Sequence, residues 1–337
     1  MKLGLVQVKH MSRMIRISVP ARLHVNLFDL SDCGYRQNGG VGFCVSGFDT
    51  VIDFKVSDEF AVIDRRDNGL SAAEIASLVD HLQELYRVND LSKKVAVDIL
   101  SGPPPHSGFG TGTATKLACV EAAFLINNIK VNQEQLVSAS GRGGTSGVGI
   151  NTYFHGGLSV DFGIKASGLS LAPSSARTSP LAKPLQLLNI KLPTSWKFGV
   201  IVFLGARGVS AKDEIDFFNR TCPVSQQSVH ASIYHAVSGM ACAALENDYL
   251  TFGASVSAIQ MTEWKRAEWA IQPSLVCSLR DKLKDSGAES VGLSSFGPAL
   301  YFLASDVGNV IDKIDLPNSY IAMCCSPNNS GREIKLD

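Results

Sequence analysis

A glycine-rich loop is the stretch of the sequence best suited to bind an anion. Residues 103–117 read PPHSGFGTGTATKLA, and a helical pattern follows directly. Such a loop exposes backbone N–H groups at the start of a helix, where anions bind. The residues predicted to contact a phosphate group are His106, Ser107, Gly108, Gly110, Thr111, Gly112 and Thr113. In the alternative interpretation the loop is a tight turn that only caps the helix, and in either case Thr111 or Thr113 would serve as N-cap.

Two common nucleotide-binding patterns are absent from this loop. The pattern G-x-x-x-x-G-K-[ST] fails because no glycine precedes Lys116, and G-x-G-x-x-G fails because the glycines stand at 108, 110 and 112. We interpret Lys116, one turn into the helix, as a structural or solvated residue. The loop therefore predicts an anion site without identifying the anion.

Charged residues near the N-terminus form a second group of candidates. Arg22 and His24 alternate along a predicted strand, so they share one face. Two cationic groups there suit a carboxylate or a phosphate, and an edge strand facing water is the alternative explanation. Asp29 follows at the strand end, where it would bind a metal or stabilise positive charge in the reaction. Its alternative is a turn aspartate that hydrogen-bonds the local backbone.

Further candidates lie in later motifs. Arg142 stands among the glycines of GRGGTSG, which allow close approach to a ligand, and its planar fork suits phosphate. Asp161 is polar within an otherwise apolar strand, which is uncommon unless the carboxylate is paired or exposed. Ser294 and Ser295 are predicted either to donate hydroxyls to phosphate or only to form a turn. We therefore take Arg22, His24, Asp29, Arg142 and Asp161 as candidate catalytic residues.

Composition limits the setting in which these residues act. A chain of 337 residues suggests two domains, and 31 basic against 31 acidic residues predict neither a nucleic-acid nor a membrane partner. The eight cysteines contain no C-x-x-C pair, which is typical of reduced residues in a cytoplasmic protein. The longest apolar run, 198–206, is shorter than the roughly 20 residues that span a bilayer. The N-terminal residues do not resemble a signal peptide.

The elements that must position the candidates can be read from periodicity. Residues 16–56 predict strands with glycine-rich turns, 72–88 a helix and KKVAVDIL a strand. The helix ATKLACVEAAFLINN is apolar almost all round, so we expect it to be buried. GGLSVDFG at 156–163 predicts another short strand.

The second half of the chain starts after a stretch without periodicity. Residues 167–184 are rich in Ser, Pro and Ala and predict a connection or surface loop. A buried strand in WKFGVIVFLG and two helical stripes follow. SVGLSSF and SYIAMCC predict strands around a helical PALYFLASDVGNVIDKI. Because strands and helices do not alternate regularly, two α+β domains are favoured over one doubly wound sheet.

Several motifs resemble those of a known family. PPHSGFGTGTATKLA resembles the second motif of the GHMP kinase superfamily, P-x-x-x-G-L-G-S-S-A, and VGLSSFGPALYFLA stands where that superfamily has its third. ARLHVNLFDL, NGGVGF, GRGGTSGVGINTYFHGGLSVDFG and GLSSFGPALY are similar, in order and spacing, to one branch, the β-ribofuranosylaminobenzene 5′-phosphate synthases. The resemblance covers roughly residues 16 to 305, and 141–163 is its most specific part.

The resemblance implies a fold and a domain organisation. An N-terminal α+β domain at 14–166 would contain an unusual left-handed βαβ crossover, against the general right-handed rule. A connecting segment at 167–195 and a ferredoxin-like C-terminal domain at 196–337 would follow. The active site would lie in the cleft between the domains, and a homodimer is implied as well.

Three departures from the kinase motifs bear on the reaction. Gly149 stands where many superfamily kinases have a catalytic Asp, and Gly112 replaces a metal-contacting Ser. Ser294 and Ser295 replace part of the glycine run of the third motif. Phosphoryl transfer needs a metal bridge and a group that orients the nucleophile, so these changes argue against an ATP-dependent kinase.

The synthase branch implies a different reaction. Phosphoribosyl pyrophosphate would be joined to an aminobenzoate or hydroxybenzoate with loss of carbon dioxide and pyrophosphate, as in methanopterin biosynthesis. The site would need a leaving-group cradle and stabilisation of an oxocarbenium-like centre, and Mg²⁺ would help to neutralise the pyrophosphate. A small-molecule kinase and a non-catalytic metabolite-binding protein remain as alternatives.

Overall fold

The computed structural model describes residues 14–142, 146–166, 171–173, 183–205 and 211–336. Much of the predicted connecting segment, namely 167–170 and 174–182, lies outside the described residues, as do 143–145 of the GRGGTSG motif.

Twelve strands and eleven α-helices make up the described part of the chain. The strands are β1 (Met14–Asp29), β2 (Arg36–Val56), β3 (Ala61–Asp64), β4 (Val95–Ser101), β5 (Leu158–Asp161), β6 (Ile164–Lys165), β7 (Gln186–Ile190), β8 (Phe198–Phe203), β9 (Ser290–Leu293), β10 (Leu300–Leu303), β11 (Tyr320–Pro327) and β12 (Glu333–Leu336). The helices are α1 (Ala72–Asn89), α2 (Thr111–Ile126), α3 (Gln133–Ala139), α4 (Val148–His155), α5 (Ala211–Thr221), α6 (Gln226–Tyr234), α7 (Cys242–Glu246), α8 (Tyr249–Gln260), α9 (Glu263–Ala270), α10 (Ser274–Asp285) and α11 (Val307–Lys313). A π-helical stretch, His235–Ala241, joins α6 to α7.

The N-terminal sheet is built on the long antiparallel pair of β1 and β2. Their register runs from Met14 opposite Lys55 to Asp29 opposite Asn38, with irregularities on either side of Ala21–His24. β12 pairs with the outer edge of β1, β4 pairs with the second half of β2, and β5 pairs with its first half. Gly40 of β2 is therefore paired with Asp161 of β5.

A parallel βαβ unit lies at one edge of this sheet. β3 pairs in parallel with β4, and α1 connects them. α1 starts with a capping box, in which the Ser71 side chain and Glu74 satisfy each other's backbone N–H groups. Leu78, Leu82 and Leu85 of α1 pack into the core that also holds α2, which is buried almost all round as predicted.

The C-terminal sheet has the order of a ferredoxin-like domain. Its antiparallel strands follow the order β11–β8–β10–β9. Helices α5 to α10 lie between β8 and β9 in the chain, and α11 lies between β10 and β11, which gives the succession β-α-β-β-α-β. The predicted α+β class and ferredoxin-like C-terminal domain are therefore confirmed.

The two sheets are continuous through β11, which pairs with β8 and, at Ser326 and Pro327, with β2. The predicted bounds 14–166, 167–195 and 196–337 stay predictions. Two strands beyond residue 166 nevertheless belong to the N-terminal sheet, because β7 pairs with β5 and β12 pairs with β1.

The predicted helix over PALYFLASDVGNVIDKI is wrong in its first half. Leu300–Leu303 forms β10, which is buried between β8 and β9, and the helix begins only after Asp306 caps it. A short apolar run fits a buried strand and a buried helix equally, so periodicity could not separate them. None of the helices in the described ranges has the length and apolar composition needed to cross a bilayer.

Candidate active site

The glycine loop leads into α2 without a side-chain cap. The N-cap residue is Gly110, whose φ of 72° and ψ of 19° lie in the left-handed region. Neither Thr111 nor Thr113 is the N-cap, so that expectation is corrected: the left-handed backbone at this position favours glycine over a β-branched residue. The first turn also lacks an acidic residue. The N–H groups at the start of α2 are therefore left for a ligand.

Arg22 lies directly against this helix start. A Cβ atom added to Gly110 would lie 2.8 Å from Arg22 Nε, and the Arg22 backbone N–H donates to Phe109 O at 3.2 Å. Arg22 Nε is buried and has no hydrogen-bond partner among the described residues. Burial lowers the pKa of Arg22 to about 10, and the Arg142 charge acts in the same direction. Arg22 thus stays positive at neutral pH, beside the loop.

Arg142 approaches the same helix from the other motif. A Cβ atom on Gly112 would lie 3.3 Å from Arg142 Nη2. Its Nε, like that of Arg22, is buried and unpartnered in the described part of the chain, and burial lowers the pKa of Arg142. Gly112 is the position of the metal-contacting Ser in the kinase motif. A guanidinium group therefore lies beside the point where that motif places a hydroxyl.

Two residues that sequence reasoning did not select lie beside Arg142. Lys116, on the second turn of α2, is half-buried, and burial and the Arg142 charge lower its pKa. His81 of α1 has a buried, unpartnered Nε2, and its pKa is lowered by burial and then by Lys116 and Arg142. Residues 112 and 116 are four apart on one helix, so they share a face. This spacing relates Lys116 to Gly112, but nothing in the sequence indicates that Arg142 lies near both residues.

The Ser294 hydroxyl connects its own segment to backbone groups of β1 and of the glycine loop. Its Oγ donates to Gly108 O at 2.7 Å and accepts from the His24 N–H at 3.0 Å, and Ser295 N donates to His24 O at 2.9 Å. Gly108 is tied to this contact, because a Cβ there would lie 2.4 Å from Ser294 O. The buried hydroxyl of Ser294 is thus engaged by β1 and the glycine loop.

We expect Ser294→Ala to lower the free energy of unfolding by about 1–3 kcal/mol, because it leaves a buried N–H and a buried C=O unsatisfied. Chemical denaturation measures this loss. Ser295→Ala is the matched control, with an expected change within about 0.5 kcal/mol. A Ser294 variant as stable as the control would contradict the structural role.

His24 and Ser146, which is bonded to Asp161, face the same glycine of β2. A Cβ on Gly40 would lie 3.1 Å from His24 Nε2 and 3.3 Å from Ser146 Oγ, and Ser146 Oγ donates to Asp161 Oδ2 at 3.1 Å. Burial and the charges of Arg22 and Lys265 hold the pKa of His24 well below its usual value. His24 is therefore neutral at pH 7. Of the two groups expected to be cationic on this strand face, Arg22 carries the charge.

Asp161 holds the start of α4 in place. Besides Ser146, its carboxylate accepts from Gly163 N at 3.0 Å and from the N–H groups of Gly147 and Val148. Burial raises the pKa of Asp161 to about 6, so the group is ionised at neutral pH and its oxygens are occupied by these donors. Asp161 is the paired carboxylate of the two alternatives, and it holds Ser146, Gly147 and Val148 at the start of α4.

The other loop residues mainly shape the backbone. His106 contacts Glu74 Oε1 at 2.6 Å, and Ser107 Oγ donates to Pro104 O at 2.5 Å. Thr113 lies near Gly149, where a Cβ atom would be 3.4 Å from Thr113 Cγ2. The loop therefore meets α4 at the position where kinases have their Asp.

Asp29 is not brought to the glycine loop. Its Oδ1 accepts from Ser31 N at 3.2 Å and from Ser31 Oγ at 2.7 Å, as in a local turn. At about 3.3 Å per residue it lies roughly 20 Å along the strand from Arg22. Ser31 and Gly34 also line a separate cavity of about 430 Å³ next to Phe218 of α5.

The groups around the helix start do not fit a resident magnesium ion. Mg²⁺ requires oxygen ligands, usually carboxylates, whereas Arg22, Arg142 and Lys116 are cations. The oxygens of Asp161 are already occupied. In the described ranges no group of three His, Cys, Asp or Glu side chains is placed to hold a metal ion. The site fits an anion instead.

We expect Arg142→Lys to lower turnover about ten- to a hundredfold, the range for losing one hydrogen bond to a charged group. Lys keeps the charge but loses the fork that holds two oxygens. Steady-state kinetics with circular dichroism measure the effect, and Arg280→Lys, at a partly buried position on α10, is the control. Near-normal turnover by a folded variant would remove Arg142 from the site.

Comparisons with known proteins identify relatives over most of the chain. The beta-ribofuranosylphenol 5′-phosphate synthase of Methanothermobacter thermautotrophicus is 31% identical over 298 residues, covering 87% of this chain and 90% of that protein. The protein of the same name from Methanocaldococcus jannaschii is 30% identical over 334 residues, covering 94% and 99%. No protein-family model matches the chain.

Solved structures share the fold at low identity. Homoserine kinase from Cytophaga hutchinsonii aligns with a TM-score of 0.67 at 16% identity, over 99% of this chain and 100% of that one. Mevalonate diphosphate decarboxylase from Staphylococcus aureus aligns with a TM-score of 0.64 at 11% identity, over 96% and 98%. Identities this low establish the two-domain GHMP kinase fold and nothing further. Because the sequence similarity spans nearly the whole chain, the protein belongs to the beta-ribofuranosylphenol 5′-phosphate synthase family.

Proposed function

We propose that the protein is a pentosyltransferase that joins phosphoribosyl pyrophosphate to a benzoate, with loss of carbon dioxide and pyrophosphate. The observation that carries this proposal is the pair of guanidinium groups, Arg22 and Arg142, at the uncapped start of α2, each with a buried Nε that has no partner among the described residues. The relatives' name specifies a ribofuranosylphenol phosphate, which favours a hydroxybenzoate over an aminobenzoate as acceptor. Methanopterin biosynthesis is the corresponding pathway.

In this reaction two bonds break and one bond forms. The bond between the anomeric carbon and the pyrophosphate oxygen breaks, and its electron pair leaves with pyrophosphate. The ring carbon that bears the carboxylate forms a new bond to the anomeric carbon. The bond to the carboxylate then breaks, its electrons restore the aromatic ring, and carbon dioxide departs. No proton has to be transferred overall.

The cations beside α2 suit the first of these steps. Negative charge grows on the pyrophosphate as its bond breaks, and preorganised donors at that point stabilise the transition state. Arg22 and Arg142 would bind the leaving group, with the first N–H groups of α2. Neutral His24 would line the neighbouring surface, and Asp161 would act as a positioning residue through Ser146 and α4.

Magnesium and oligomeric state are parts of the proposal that rest on the resemblance. We propose that Mg²⁺ reaches the site chelated by the phosphates of the substrate, since the surrounding side chains do not suit a resident ion. A homodimer is proposed on the resemblance alone.

The alternatives are less well supported. An ATP-dependent kinase would need a metal-binding hydroxyl or carboxylate near the loop, and Gly112 and Gly149 stand at those positions. A non-catalytic metabolite-binding protein would keep the cleft without turnover. The named relatives favour neither alternative.

The test is a single mixture followed for two products. The protein is incubated with phosphoribosyl pyrophosphate, Mg²⁺ and carboxyl-labelled 4-hydroxybenzoate or 4-aminobenzoate, and labelled carbon dioxide and pyrophosphate are measured. The expected result is equal amounts of both, dependent on both substrates. ATP-dependent phosphorylation without carbon dioxide from any benzoate would replace the proposal with the kinase alternative.

A further inference from the structure

Lys116 is a half-buried cation without a protein partner. In the described part of the chain its Nζ forms no hydrogen bond or ion pair. Its charge lowers the pKa of His81, and the Arg142 charge lowers its own pKa, so both groups lie near it. Burial and the Arg142 charge both disfavour the ammonium form of Lys116, and an anion bound beside it would offset both.

The direction of the side chain brings Lys116 towards the helix start. The Cα–Cβ bonds of an α-helix tilt towards its N-terminus, so Lys116 extends back over the turn that contains Gly112. Arg142 Nη2 lies next to Gly112, on the same helix face. Arg142 and Lys116 therefore form one cationic group, and Arg22, at Gly110, forms another.

Two cationic groups flanking one helix start suit a ligand with two linked phosphates. The three side chains carry three positive charges, and among the described residues the charge of Glu214 opposes them at Arg142. A monophosphate carries less negative charge than a diphosphate at neutral pH and can engage fewer of these groups.

We propose that Lys116, with Arg142, binds one phosphate of the pyrophosphate while Arg22 and the α2 backbone bind the other, so that Lys116 makes the site prefer diphosphate over monophosphate. This inference rests on the proposed function for the identity of the substrate. Lys116 is then the residue that distinguishes diphosphate from monophosphate. The histidine beside it, His81, stays neutral in the free protein because its pKa is lowered.

The test compares two inorganic probes by calorimetry at fixed Mg²⁺ concentration. We expect Lys116→Met to weaken binding of inorganic pyrophosphate about tenfold or more, as for loss of a charged hydrogen bond, and binding of inorganic phosphate by less than about threefold. Lys116→Arg should retain most of the pyrophosphate affinity. Lys130→Met, an exposed lysine after α2, is the control and should leave both affinities unchanged.

Kinetics supply a second readout on the same variants. The KM for phosphoribosyl pyrophosphate should rise in Lys116→Met while the KM for the benzoate stays constant, and circular dichroism checks folding. Unchanged pyrophosphate affinity, or an equal loss for phosphate and pyrophosphate, would overturn the assignment. If the wild type binds pyrophosphate selectively through Lys116 but releases no carbon dioxide, the proposed function fails and the anion site stands.

Discussion

Gly110→Val is expected to abolish detectable binding of phosphoribosyl pyrophosphate. Gly110 has a φ of 72°, which a β-branched residue adopts only under strain. Its new Cβ would also lie 2.8 Å from Arg22 Nε and 3.2 Å from Arg22 Nη2. The substitution therefore displaces a guanidinium group and distorts the first N–H groups of α2 together, and both belong to the proposed anion site.

Calorimetry with phosphoribosyl pyrophosphate and with inorganic pyrophosphate measures this loss. Gly287→Val is the matched control, because Gly287 also has a positive φ, of 107°, and its nearest neighbour would be Val310 at 3.8 Å. The control should lose stability through its backbone and keep its affinity. Unchanged affinity in a folded Gly110 variant would mean that the loop serves only as the start of a helix.

Gly149→Asp is expected to damage the native reaction and to create no kinase. Gly149 is the second residue of α4, and its Cβ would make an ordinary contact of 3.4 Å with Thr113 Cγ2, so an Asp fits there. Its carboxylate would face the start of α2 and repel the pyrophosphate. At about 4 Å and an effective dielectric near 20 this repulsion is roughly 4 kcal/mol. Half of that weakens binding by more than about tenfold.

The matched variant Gly149→Asn separates charge from bulk. It places nearly the same volume beside Thr113 without a negative charge, so most of the affinity for phosphoribosyl pyrophosphate should remain. Turnover is followed as carbon dioxide release, and ATP hydrolysis is measured with candidate alcohols. Equal losses in the Asn and Asp variants would show that bulk, rather than charge, is responsible.

Local sequence patterns were sufficient for several elements of the fold. The stripe in α1, the alternation in β4 and the apolar helix α2 lie within a few residues of their predicted bounds. Residues 300–303 were assigned wrongly, because a four-residue apolar run has no distinguishing period and its state depends on pairing with β8 and β9. The resemblance, not periodicity, led to the ferredoxin-like order of the C-terminal strands.

The candidate site was predictable in its residue types but less so in their roles. Arg22 and Arg142 were selected from their chemistry and their neighbours, and both lie at the start of α2. The charge of His24 was misjudged because burial and the charges of Arg22 and Lys265 depend on packing. Lys116 was set aside because its half-buried position next to Arg142 cannot be seen in a linear pattern.

The sequence by itself determined the glycine loop, the helix that follows it and the family. These depend on residues that are close along the chain or on whole motifs. Only the tertiary structure decided that Arg22, Arg142 and Lys116, which lie far apart in the sequence, surround one helix start. It also decided that Ser294 bonds β1 and the loop, whereas Asp29 bonds its own turn. The physical reason is that strand register and helix packing set which distant side chains meet, and burial then sets their charge.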